Sequence, residues 1–219
     1  MTPKADEDAA LATPEFWDSR YKIADNHEKP THEWLCTFEN LHSFFSRNLY
    51  RAKESDQNPQ ILHLGCGDST VPHDLALIGY DNQLCLDFSP VVIELMKTRY
   101  PVSGIEWRFG DVRDMHDVPS SSVDVAFDKS TLDAMVYGSP WNPPDEVKEN
   151  ADKYMDEVSR VLKDDGIFLF ITFRQPHFMK PLLKIDTLWD AKMETLKGDS
   201  SFDYFGFILT KKTDCKKEI

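Results

Sequence analysis

The sequence predicts a doubly wound α/β fold, an open sheet of mostly parallel strands with helices on both faces. Three stretches carry that prediction. The apolar run Ile61-Leu62-His63-Leu64 stops at Gly65-Cys66-Gly67 and gives way to an amphipathic segment from Val71 to Ile78, the order of a buried strand, a glycine turn and a helix. A further apolar run, Leu84 to Phe88, and a third unit, Ile105 to Val112, follow at the spacing of successive strand–helix units, and each strand ends in an acid, Asp87 and Asp111. Finally, the amphipathic segment Asp145 to Leu162 precedes the apolar run Ile167 to Phe173, a crossover helix feeding another buried strand.

The remaining elements follow in chain order. Residues 1–13 read as a polar, mobile tail. Thr13 and Pro14 then mark a helix start, as N-cap and first-turn residue, with Phe16, Trp17 and Tyr21 at helical spacing behind them. After a polar loop from Ala24 to Pro30, the segment Thr31 to Lys53 repeats apolar residues as one long helix or two short ones laid across the sheet. Glu54 to Pro59 is a polar linker. Asp68 and Ser69 suit the N-cap of the helix after the glycine turn, and Ser89 with Pro90 opens the next helix, to Tyr100. The fourth strand, Val123 to Phe127, runs out at Asp128. Tyr137 to Asp145 is too rich in proline for helix or strand, and Trp141 within it is a candidate gate to the site. Trp189 to Leu196 and Phe202 to Leu209 pair as an antiparallel hairpin. The chain thus divides as a helical cap over 14–58, a binding core over 59–173 and a helix with a hairpin over 174–219, all within one domain.

The binding chemistry is read from the strand ends. Gly-x-Gly alone also occurs in nicotinamide and flavin enzymes, and in turns that merely close a βα unit. Asp87, however, lies twenty residues beyond Gly67, where an acid can hold the two hydroxyls of a ribose. The third glycine of a dinucleotide fingerprint is missing, and Asp68 would repel a pyrophosphate. Asp111 is placed to accept a hydrogen bond from an adenine amino group, and Phe88 to cover an adenine face. Successive acidic strand ends suit a cationic nucleoside ligand without phosphates, a description that S-adenosylmethionine meets.

Composition sets limits. With 219 residues and 41% hydrophobic content the chain can bury one substantial core. The first residues lack the order of a signal peptide and no apolar run reaches membrane-spanning length, so a soluble, cytoplasmic protein is expected, with no membrane partner. Cysteines 36, 66, 85 and 215 have no close spacing, which argues against a zinc site or a disulfide framework. A net charge of −13 disfavours a nucleic-acid surface and is compatible with a basic protein partner. His63 reads as a core residue, and His32, His42, His73 and His116 lack partners for a dyad or a metal.

LGCGDS at Leu64–Ser69, LDFS at Leu86–Ser89, GDVRD at Gly110–Asp114, FDKSTLDA at Phe127–Ala134 and the Gly166–Phe170 strand resemble, in order, the motif series of class I S-adenosylmethionine-dependent methyltransferases. That resemblance implies a seven-stranded, Rossmann-like sheet with a reversed last strand and S-adenosylmethionine as cofactor. Glu15–Tyr21, Glu33-Trp34 and Asp128–Ala134 look, more narrowly, like the branch that methylates lysines of translation elongation factor 1-alpha. The likeness implies that the N-terminal segment folds over the cofactor, with Trp17, Tyr21 and Trp34 against it. It also implies cofactor contacts at Lys129, beside those expected at Gly65, Cys66, Gly67, Asp87, Phe88, Asp111 and Val112. Asp128 is the candidate to hold or deprotonate the acceptor amine, while Asp133, one turn later, is equally credible as a helix cap. The expected protein is a monomer acting on elongation factor 1-alpha. A small-molecule methyltransferase or a non-catalytic binding module of the same fold are the alternatives.

Overall fold

The computed structural model describes residues 8–23, 33–197 and 202–212. Its strands are β1 (Ile61–Leu64), β2 (Gln83–Asp87), β3 (Ile105–Phe109), β4 (Val123–Lys129), β5 (Leu162–Thr172), β6 (Trp189–Lys197) and β7 (Asp203–Lys211). They form one sheet in the order β3-β2-β1-β4-β5-β7-β6. The pairs from β3 through β5 are parallel, and β7 runs antiparallel to both β5 and β6. This is the expected doubly wound sheet with its reversed last strand.

The helices are α1 (Pro14–Ile23), α2 (Phe38–Asn48), α3 (Val71–Leu77), α4 (Pro90–Arg99), α5 (Thr131–Met135), α6 (Asp145–Val161) and α7 (Pro176–Leu182). Strands covered on both faces are buried throughout, as β1 and β2 are. β5 shows how the two layers are built from a period of two. Its Ile167, Leu169 and Ile171 join Leu41, Phe44 and Phe45 of α2, while Phe168 and Phe170 join Tyr154, Met155 and Val158 of α6 on the other face. A third cluster ties α1 to α4 through Tyr21, Val92, Ile93 and Met96, together with Cys66, Cys85 and Trp107. The strand order brings the carboxyl ends of β1, β2 and β4 together, where the direction of the winding reverses.

Several local expectations hold and others are corrected. Ser89 caps α4 by accepting from the Val92 N–H, and Pro90 is its first residue. The expected helical span 31–53 is one helix, α2, closed by a capping box between Thr37 and Asn40, with residues 33–37 outside it. Thr70, not Asp68 or Ser69, holds the N-cap position of α3 but makes no side-chain capping bond; the Ser69 hydroxyl accepts from the Val71 N–H at 3.3 Å, and the Thr70 N–H donates to Glu33 Oε2 at 3.0 Å. β4 runs two residues further than Phe127, through Lys129, because both extra residues pair with β5. β5 in turn begins at Leu162, immediately after α6, since Leu162 is already extended and pairs with Val123. Residues 1–7 of the expected tail lie outside the described residues, whereas 8–10 form a helical turn and the Thr13 hydroxyl donates to the Ala10 carbonyl. The 24–30 loop and Cys215 also lie outside the described residues, and Cys36, Cys66 and Cys85 are buried free thiols. Among the described residues no helix is long and apolar enough to cross a membrane.

Candidate functional site

A cavity of about 440 Å³ opens at the carboxyl ends of β1, β2 and β4, within the range of small-molecule sites. Trp17, Tyr21, Trp34, Gly65, Cys66, Gly67, Asp87, Phe88, Asp111, Val112 and Lys129 all line it. Every residue expected to meet the cofactor is therefore on one wall system. Its acids outnumber its bases, with Asp8, Glu33, Asp68, Asp87, Asp111 and Asp133 against Arg113, Lys129 and Arg174.

The glycine turn is needed twice. Gly65 and Gly67 have φ of +63° and +52°, a region that L side chains avoid. A Cβ on Gly65 would collide with the side chain of Thr131, whose hydroxyl donates to the Leu64 carbonyl at 2.7 Å. A Cβ on Gly67 would lie 2.9 Å from the Tyr21 hydroxyl. Close approach is thus required, but by α5 and α1 of the protein itself.

Asp87 closes this turn. Oδ2 accepts from the Gly67 N–H and Oδ1 from the Ser89 N–H, both at 2.9 Å. Burial pushes its pKa up to about 6, partly offset by those two amides. Each oxygen keeps a second lone pair for a ribose hydroxyl.

The N-terminal segment is fastened over the cavity by a charged clasp. Glu33 Oε1 accepts from the Ser69 hydroxyl at 2.7 Å and from Lys129 Nζ at 2.5 Å, while Oε2 takes the Thr70 N–H. Lys129 Nζ also donates to the Trp34 carbonyl at 2.8 Å. The expected cofactor contact at Lys129 is therefore accompanied by a different task, holding Glu33 and Trp34 to the end of β4. Trp17 stacks on Tyr21 at 5.8 Å and meets Trp34 edge-on at 6.0 Å, which makes one aromatic wall from the expected trio. Trp17 Nε1 donates to the Leu11 carbonyl.

Three expectations need correction. Asp111 lies past the end of β3, which stops at Phe109, and its carboxylate is engaged by Arg113 through Nε and Nη2. Burial would raise its pKa, but Arg113 outweighs it and holds the carboxyl below its usual range. Asp128 does not line the cavity. It is fully buried, and its oxygens accept from the Thr131 N–H, the Leu132 N–H and the Tyr154 hydroxyl, so it caps α5 and anchors α6. Burial pushes its pKa up to about 7. Trp141, 81% exposed, is also off the cavity wall and packs edge-on against Phe178 at 4.9 Å. Phe173, just past the end of β5, does line the cavity.

Asp133, Thr131, Phe173 and Arg174 are site residues that the motifs did not single out. Asp133 replaces Asp128 as the carboxylate on the cavity wall: its Oδ1 accepts from the Thr172 hydroxyl at 2.6 Å, and Arg174 Nε stands 3.4 Å from the same oxygen. Burial pushes its pKa up to about 6, offset by Thr172, Arg174 and the Phe173 amide. The rule that function gathers beyond strand ends, applied to β5, would have found Phe173 and Arg174. His63 is the expected core histidine. Its Nε2 meets Gln83 Oε1 at 2.6 Å and burial lowers its pKa to about 4, so the ring is neutral.

This donor set fits a cationic nucleoside better than a phosphate ligand. Each cation on the wall is already matched with an acid, Lys129 with Glu33, Arg113 with Asp111 and Arg174 with Asp133. The acid excess and the aromatic wall suit a sulfonium. Comparison with known proteins agrees. The family described as "Methyltransferase domain" matches residues 55–212. The chain is 38% identical over 200 residues to mouse EEF1A lysine methyltransferase 4, covering 90% of this chain and 74% of that protein. The bovine protein of the same name is 35% identical over 167 residues, 75% of this chain and 62% of its own length. Among solved structures, a Leishmania major S-adenosylmethionine-dependent methyltransferase superposes with a TM-score of 0.63 at 14% identity, over 91% of this chain and 86% of that one. The chain belongs to the methyltransferase-domain family, as an S-adenosylmethionine-dependent enzyme of the class I fold. In the narrower comparison it is similar to relatives named for lysine methylation of EEF1A.

Proposed function

We propose that this enzyme is a protein-lysine N-methyltransferase acting on translation elongation factor 1-alpha in the cytoplasm, as a monomer. The reading is supported by the acid excess of the cavity, where every wall cation is matched by a carboxylate, together with a net charge of −13 that favours a basic partner. The relatives named for that substrate, and the likeness of Glu33-Trp34 and Asp128–Ala134 to the enzyme associated with endothelin-converting enzyme 2, narrow it further.

When bound, the cofactor would supply an electrophilic methyl group on a positive sulfur for transfer to a neutral amine, with the neutral thioether as leaving group. The chain's own residues position and desolvate. Asp87 would hold the ribose hydroxyls from the glycine turn, and Asp111, Val112 and Phe88 would hold the base. Trp17, Tyr21 and Trp34 exclude water from the charged end, and Lys129 with Glu33 keeps them there. An acceptor lysine must arrive as a neutral amine, which burial beside a positive charge favours. Alignment then removes the entropic cost of a bimolecular encounter.

The test is incubation of the purified protein with methyl-labelled S-adenosylmethionine and a cell lysate. A labelled band at the size of elongation factor 1-alpha is expected. Label confined to small molecules would replace the reading with a metabolite methyltransferase, and cofactor binding with no transfer at all would make the chain a binding module.

A further inference from the structure

The geometry points to Asp133 as the residue that binds the acceptor amine, with its Oδ2 taking an N–H of the neutral nitrogen. The inference rests on the amine-acceptor reading above and names the residue that receives it. Four observations carry it. Asp133 lines the cavity at the ends of β4 and β5, on the far side of β1 from Asp87 and the rest of β2. It is 4% exposed, and Oδ2 has no hydrogen-bond partner among the described residues. A buried acceptor without a partner is costly, and such groups call for an explanation. Oδ1, by contrast, is fixed by the Thr172 hydroxyl at 2.6 Å, so the carboxylate is held with one oxygen committed and the other buried and unpaired.

Arg174 sharpens the selectivity. Its Nη2 donates to the carbonyls of Asp133 and Val136, which sets the guanidinium beside the carboxylate. Asp133 and Arg174 together are neutral, so an ammonium entering beside a sulfonium finds no net charge to hold it. A neutral amine donating one N–H to Oδ2 leaves its lone pair free for the methyl carbon. After transfer, the new ammonium meets the same neutral pair and is not retained. The site therefore selects an acceptor with an N–H donor.

The test separates this inference from the choice of substrate by using a small probe. The protein is saturated with S-adenosylhomocysteine and titrated by NMR with 2,2,2-trifluoroethylamine, a weak base that is a neutral amine at neutral pH, for wild type, Asp133→Asn and Thr172→Val. The amine should bind wild type, bind Asp133→Asn about tenfold more weakly and Thr172→Val with an intermediate affinity, with S-adenosylhomocysteine affinity unchanged within about twofold. With purified elongation factor 1-alpha as acceptor, Asp133→Asn should lower kcat/KM by about a hundredfold. Equal trifluoroethylamine affinity in wild type and Asp133→Asn, or a parallel loss of S-adenosylhomocysteine binding, would overturn the assignment. Amine binding that depends on Asp133 in an enzyme unable to methylate the factor would support Asp133 while removing the lysine substrate reading.

Discussion

Asp87 illustrates how one carboxylate serves both fold and site. The expectation from sequence is an acid at a strand end, free to meet ribose, and its position was legible because strand, turn and acid are all local signals. Its second task was not, since the two amides that it satisfies are fixed only once Gly67 takes a φ of +52° and Ser89 caps α4. Asp87→Ala should therefore weaken S-adenosylmethionine binding by one to two powers of ten, read by calorimetry, and also cost about 1–3 kcal/mol of stability in denaturant unfolding from the two orphaned amides. Unchanged cofactor affinity would remove Asp87 from the site. The same contrast separates Asp128 from Asp133. Both stand in one short motif, and sequence favoured the first because it follows the strand directly. Only the three-dimensional arrangement reveals that Asp128 turns to Thr131, Leu132 and Tyr154 while Asp133 reaches the cavity.

At the scale of elements, the β1-turn-α3 unit and the α6–β5 crossover were readable because hydrophobic period and glycine placement are local. The clasp was not, because Glu33 is ninety-six residues from Lys129. Nothing in either segment alone indicates that a buried ion pair will tie the strap to β4. Their side chains are 12% and 5% exposed, so removing one partner leaves a charge with little water around it. Lys129→Ala should destabilise the protein by about 3 kcal/mol and weaken cofactor binding about tenfold. Hydrogen exchange should rise at residues 33–36 while the strands of the sheet keep their protection. Weakened cofactor binding with unchanged exchange at 33–36 would mean that Lys129 acts on the cofactor directly and the clasp is incidental.

For the whole molecule, the acidic core has a consequence for pH. Burial raises Asp87, Asp128 and Asp133 to about 6, 7 and 6. The folded state thus holds protons that the unfolded chain releases near pH 4, and these three groups favour folding most at low pH and lose that contribution as pH rises through 6 to 7. Asp111, Glu157 and Glu194, lowered by Arg113, Arg160 and Arg47 against the effect of burial, act in the opposite sense and lose their contribution below about pH 4. The melting temperature of the ligand-free protein should therefore rise by a few degrees from about pH 8 to about pH 5.5, then fall in stronger acid. Asp128→Asn should flatten the rise; a melting temperature that falls steadily from pH 8 downward would contradict the account.

The sheet order, the cavity and the family together make a methyl donor's site of this chain, and the acceptor is the claim on which the account turns. The most direct measurement is peptide mass spectrometry of purified elongation factor 1-alpha after incubation with the enzyme and S-adenosylmethionine. The account predicts a methyl increment on a lysine side chain, absent when S-adenosylmethionine is omitted. An unmodified factor, from enzyme shown by calorimetry to bind the cofactor, would contradict it.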